Sequence, residues 1–164
     1  MLYSDLKRDL TVVMMTNNQQ MKVDGIKNAI FSALANQPVS VPKKSVYLEI
    51  RDKVLANADK GLAYYRDLKA NHQDSYDFTF EIGDLISTGK YILRRNKFDD
   101  AIKVFQMAVA LKAKPADIAY GYELIGEAYL KKQDKPNAQL NYKQAVAIDP
   151  NNKNAVGILQ QLAK

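Results

Sequence analysis

The sequence predicts a mainly α protein: antiparallel helix pairs stacked as a short superhelix, preceded by a short β-strand or hairpin and one helix. Two observations predict it. From Tyr122 onward, large and small residues fall at fixed helical spacings: Tyr122, Ile125, Gly126, Tyr129, Ala138, Tyr142, Ala145 and Pro150. The same set occurs upstream as Leu85, Gly89, Ile92, Ala101, Phe105 and Ala108, with Gly89 and Gly126 37 residues apart and Ala101 and Ala138 equally so. Both halves of the unit are thus displaced together, the mark of an internal repeat. The second observation is a contrast. Leu10-Thr11-Val12-Val13-Met14-Met15 is rich in β-branched residues and almost wholly apolar, which predicts a strand covered on both faces.

Taken in order, residues 1–37 read as a strand–helix remnant of a larger α/β domain. Residues 2–4 end a strand that turns back through Ser4–Asp9 into Leu10–Met15, and Thr16-Asn17-Asn18 stops it. Met21–Leu34 follows as a helix, with Val23, Ile26, Ile30, Phe31 and Leu34 on one face. A lone hairpin with one helix is a poor fold by itself, so the strand offers an edge through which two copies of the chain would pair as a homodimer. Residues 38–46 form a proline-bounded linker, and 47–164 hold the repeats. Over 44–75 two apolar stripes, Val46-Tyr47-Ile50-Val54-Leu55 and Gly61-Leu62-Tyr65-Leu68, predict a degenerate first pair.

In the two fuller pairs the small residues Gly89 with Ala101, and Gly126 with Ala138, let the helices approach. Tyr122, Tyr129 and Tyr142 then fill space between neighbouring pairs. The extra length lies in Lys112–Asp117, where Pro115 breaks the chain and Asp117 reads as a fresh N-cap. Asp149-Pro150 ends the last complete pair. Asn152–Ala163 is a final capping helix with Val156, Leu159 and Ala163 on its apolar stripe.

Composition narrows the function classes. With 47% apolar residues the chain is globular. It has no cysteine and one histidine, so neither a thiolate metal site nor a cysteine nucleophile exists, and no cofactor or metal is expected. The longest apolar run, Met107–Leu111, is too short for a membrane span. Asp5, Lys7, Arg8 and Asp9 interrupt anything resembling a secretory leader. The formal charge is +6, from 24 basic and 18 acidic residues. The basic residues are scattered apart from the doublets Lys7-Arg8, Lys43-Lys44, Arg94-Arg95 and Lys131-Lys132, and no stripe with stacking aromatics suggests nucleic acid.

These repeat positions resemble the tetratricopeptide repeat, a helix–turn–helix unit of about 34 residues. The resemblance implies an array that holds a protein or peptide partner, with the first helix of each unit lining a concave groove. In this sequence that groove comprises Ile86, Lys90, Leu93 and Arg94 from one unit. The next unit contributes Tyr120, Glu123, Leu124, Glu127 and Leu130. The expected groove is mixed, cationic at one end and acidic at the other. It lacks the lysine–asparagine set with which chaperone-binding repeats clamp a C-terminal carboxylate.

The whole chain also resembles the C-terminal end of serine β-lactamase-like (penicillin-binding-protein-like) hydrolases that carry a tetratricopeptide tail. The similarity rests on the strand Leu10–Asn17, the helix Met21–Leu34, the linker Pro38–Pro42, and the segments Ala63–Lys69 and Tyr76–Phe78. It implies that the catalytic residues of such a hydrolase lie outside this chain. Localisation follows the reading: cytoplasmic for a free-standing chain, periplasmic or exported for a hydrolase tail.

Short motifs do not add an enzyme. Ser40-Val41-Pro42-Lys43 matches S-x-x-K but sits between prolines, where no helix brings lysine beneath serine. Ser87-Thr88-Gly89-Lys90 matches too, yet Gly89 is the packing glycine and no Y-x-N or K-T-G partner follows. Gly83–Lys90 misses the P-loop spacing by one residue, with Tyr91 in place of the Mg²⁺-binding hydroxyl. His72 reads as a helix-end residue, and Asp99-Asp100 and Asp117 as helix-start charges. The expected function is therefore a non-catalytic interaction module, with an accessory tail of a hydrolase as the alternative.

Overall fold

The computed structural model describes residues 2–5, 10–15 and 24–163 of the chain. They form two units, 1–42 and 43–164. The protein is mainly helical, with a small hairpin at its start, as the repeat spacing and the apolar run predict.

In the first unit β1 (Leu2–Asp5) pairs antiparallel with β2 (Leu10–Val13), Leu2 opposite Val13 and Asp5 opposite Leu10. The hydroxyls of Ser4 and Thr11 lie 3.2 Å apart across the ladder. β2 stops at Val13, so Met14 and Met15 fall outside the strand. Nor is the strand covered on both faces as its composition predicts: Val13 is 64% exposed, and Met15 just beyond it 93%. Val12 and Met14, on the other face, are half-buried, so one side of the run is partly covered and the other is open, the alternation of a half-buried strand. The helix α1 is described over Asp24–Leu34. Its expected beginning at Met21 and the stop at Thr16–Asn18 lie outside the described residues. It ends in a left-handed turn: Asn36 has φ 51°, and Gln37 N–H donates to Ser32 O at 2.9 Å. Residues 38–44 are exposed, and Pro42 passes beside α1, where a β-carbon added to Gly25 would lie 3.3 Å from Pro42 Cβ.

The second unit holds the core. β3 (Lys44–Ser45) pairs in parallel with β4 (Tyr76–Asp77), clipping the entry of the first helix pair to its exit. Lys44 and Ser45 belong to this clip, and α2 (Val46–Ala56) begins at Val46, where the Ser45 hydroxyl accepts from Leu48 N–H. Asn57 alone connects α2 to α3 (Ala58–Asn71), ending one helix and capping the next through Lys60 N–H. So short a connection forces the two helices antiparallel.

Next come α4 (Glu81–Leu93) and α5 (Phe98–Val109), then α6 (Pro115–Lys131) and α7 (Lys135–Ile148), and last α8 (Lys153–Leu162). Asp117 is not the N-cap its position suggests. Pro115 itself is the first helical residue, because its fixed φ suits that position and its missing N–H is not needed there. Asp117 sits within the first turn, where a carboxylate favours the helix dipole.

The helix pairs close on glycine. A β-carbon on Gly89 would fall 2.3 Å from Phe105 Cε1, and one on Gly126 2.8 Å from Tyr142 Cε2. In each case the aromatic ring of the second helix rests on the glycine of the first. Tyr142, 1% exposed, thus fills its own pair as well as the apolar cluster shared with the helix that follows. Gly61 serves differently: a β-carbon there would meet Val54 backbone at 2.5 Å.

One apolar core runs from α2 to α6. A smaller one joins α7 and α8 through Ala138, Tyr142, Ala145 and Ala155, with Ile158, Leu159 and Leu162 packed on it. The buried stripe of α8 therefore follows Ala155–Ile158–Leu159–Leu162, one position out of phase with Val156 and Ala163. Burial at i, i+3, i+4 and i+7 selects that set.

Candidate functional site

α4 and α6 lie side by side and leave a cleft of about 320 Å³ between them, lined by Lys90, Leu93, Arg94, Asn96, Leu124, Glu127 and Lys131. Helical spacing places its parts. Lys90 and Arg94 stand one turn apart at the end of α4, and Leu124, Glu127 and Lys131 follow one stripe of α6. Leu93 and Leu124, 6% and 4% exposed, form an apolar floor. Arg94 and Lys131 are exposed at its edge.

The cleft gathers five of the nine residues expected in the groove: Lys90, Leu93, Arg94, Leu124 and Glu127. Tyr120 adjoins it, since Lys90 Nζ donates to the Tyr120 hydroxyl at 3.0 Å and lies 5.6 Å from the ring centre. Ile86 is buried in the core. Glu123 is engaged elsewhere, its carboxylate accepting from Asn152 Nδ2 at 2.8 Å and Asn154 Nδ2 at 2.6 Å. Leu130 packs in the apolar cluster shared with α8. Of the two carboxylates expected at the acidic end, Glu123 is taken by the start of α8 and Glu127 stays in the cleft.

Sequence reasoning did not include Lys131 and Asn96 in this site. Lys131 was legible in principle: it follows Glu127 by four residues, and its Nζ lies 3.6 Å from Glu127 Oε1. Asn96 was not, because its place depends on a left-handed turn (φ 59°) after α4. That turn recurs at Gln133 (φ 61°) after α6.

The cations of the cleft differ from their neighbours in how they are answered. Arg51 lies over the Tyr47 and Tyr91 rings, 5.5 and 5.2 Å from their centres, and Arg95 lies 3.5 Å from the centre of Tyr91. The Tyr91 hydroxyl donates to Asp52 Oδ1 at 2.7 Å, and this hydrogen bond holds the Asp52 carboxyl below its usual range. Lys103 pairs with Asp59 at 2.8 Å, and Lys132 with Asp99. Asp99 is thus both a helix-start charge and one half of a bridge to the next pair. Among the described residues that line the cleft, the only carboxylate is Glu127.

Ser40–Lys43 lies in irregular chain ahead of β3. Thr88 is buried and its hydroxyl donates to Asp84 O at 2.8 Å within α4. His72 caps α3, its Nε2 3.8 Å from Asp67 Oδ2. Among the described residues no helix is long and apolar enough to cross a membrane. No family model, no curated protein and no solved structure matches the chain.

Proposed function

We propose that this chain is a non-catalytic interaction module that binds a peptide or a neighbouring domain in the cleft between α4 and α6. The observation that carries the reading is the cleft itself: a notch with an apolar floor and a polar rim, built on helices. Its partner would be held by side-chain contacts and not by an added strand, because both walls are helices whose backbone groups are already bonded. A photo-crosslinking residue introduced at position 94 should capture a partner in source-cell extract. The same residue at Lys143, exposed on α7 and outside the cleft, should not. Equal capture at the two positions, or none at either, sinks the proposal.

A second reading is favoured by the hairpin. Its exposed Val13 and Met15 suit a sheet that continues beyond two strands, as in the C-terminal part of a serine β-lactamase-like hydrolase. An immunoblot of the native protein separates the two. A band near 18.5 kDa means a free-standing adaptor. A much heavier band means an accessory tail.

A further inference from the structure

The charges of the cleft choose among peptides. We propose that it takes an extended acidic peptide, with one apolar side chain seated on Leu93 and Leu124 and flanking carboxylates meeting Lys90, Arg94 and Lys131. This inference rests on the peptide-binding reading above.

Three cations share the cleft with one carboxylate. Glu127 answers Lys131 only at 3.6 Å, beyond the reach of a charge-assisted hydrogen bond. Lys90 is held by a tyrosine, a neutral partner that fixes the ammonium without cancelling its charge. Arg94 is exposed and makes no side-chain hydrogen bond or ion pair with any described residue. Arg51 and Arg95, by contrast, are laid against aromatic rings and near Asp52. The uncompensated positive charge of α4 and α6 is therefore concentrated in the cleft. A partner's carboxylates relieve that repulsion, and electrostatic complementarity of this kind sets specificity and on-rate.

The floor decides between a peptide and a polynucleotide. Two leucines seat an aliphatic side chain, whereas none of the lining residues is aromatic and none offers a base a face to stack on. The Tyr91 ring is covered by Arg95, and Tyr120 is tied to Lys90. The volume admits one or two side chains, in keeping with an extended segment passing over the notch.

The test is fluorescence anisotropy on the full chain with three labelled peptides of about nine residues, roughly 30 Å when extended. Each has a central leucine, flanked by Asp/Glu, by Asn/Gln or by Lys. An oligothymidylate serves as the fourth probe. The acidic peptide should bind at least about tenfold tighter than the neutral one, and weaken as salt rises from about 50 to about 300 mM. Arg94→Gln with Lys131→Gln should bring it to the neutral level, while Glu127→Gln strengthens it. All three side chains are at least partly exposed, so helicity by circular dichroism should not change. Equal binding of acidic and neutral peptides, or an unaltered double variant, overturns the inference and leaves the peptide reading standing. So does an oligonucleotide that binds tighter than the acidic peptide and is lost in the same variant. If no peptide binds and the crosslinker at position 94 captures nothing, the underlying reading falls as well.

Discussion

Gly61 and Gly157 offer one substitution with two opposite outcomes. Both are helical glycines, so Gly→Ala gains up to about 1 kcal/mol of helix propensity at each. At Gly157 a β-carbon meets nothing within 4 Å, and the gain stands. At Gly61 it would lie 2.5 Å from both Cα and N of Val54. Carbon contacts are comfortable near 3.5 Å, so α2 and α3 must part by roughly 1 Å. The atoms in the way are backbone, which cannot swing aside as a side-chain tip can. Val54, Ala58, Leu62 and Tyr65, all 4% exposed or less, pack around this closest approach. Overpacking costs about 1–3 kcal/mol, and backbone contact puts Gly61→Ala at the upper end. After the propensity gain a net loss of about 2 kcal/mol remains, near 8 °C in Tm for a unit of this size. Gly157→Ala should instead raise Tm by about 2–4 °C. Thermal and urea melts followed by circular dichroism at 222 nm read both. A Gly61→Ala protein as stable as the parent, or both variants shifting in the same direction, would refute the close approach.

Three further outcomes follow from the same packing. Ala138 is fully buried where α7 meets α6, so Ala138→Leu should destabilise by about 1–3 kcal/mol in urea titrations. Gln133 holds a left-handed conformation that costs a residue with a β-carbon about 1 kcal/mol, so Gln133→Gly should raise Tm by a few degrees. Burial, with Glu127 and Glu123 nearby, pushes the Tyr142 phenol up to about 12, against about 10 in an unfolded chain. The folded state therefore holds that proton more tightly. The contribution, roughly 2–3 kcal/mol, is whole below about pH 10 and lost as pH rises toward 12. Stability against pH should fall less steeply there in Tyr142→Phe; identical alkaline limbs would contradict the shift.

Much of this architecture is written in residue spacing. The 37-residue displacement of Gly89 and Ala101 to Gly126 and Ala138 marks both fuller helix pairs, because a helix that must meet its neighbour closely needs a small residue at each crossing. The first pair was legible from its two apolar stripes, and most of the cleft from the stripes of α4 and α6. Three things escaped for physical reasons. The strand at Leu10 reads as buried on both faces because its composition is apolar, yet burial depends on what lies beside each face, and Val13 is left open while Val12 is half-covered. The phase of α8 depends on which side faces α7, and a helix rich in Ala, Val, Ile and Leu allows more than one.

The third is the division of charge. The sequence by itself determined that Lys90, Arg94, Glu123 and Glu127 would lie on helix faces, since periodicity is a local property of the chain. Only the tertiary structure decided which carboxylate remained to balance the cations. Asn152 and Asn154, about thirty residues away, take Glu123, leaving Glu127 alone in the cleft with three positive side chains. Local spacing fixes the face a residue occupies, but its partner across a helix boundary is fixed by how the boundaries pack, and that is a property of the assembled array.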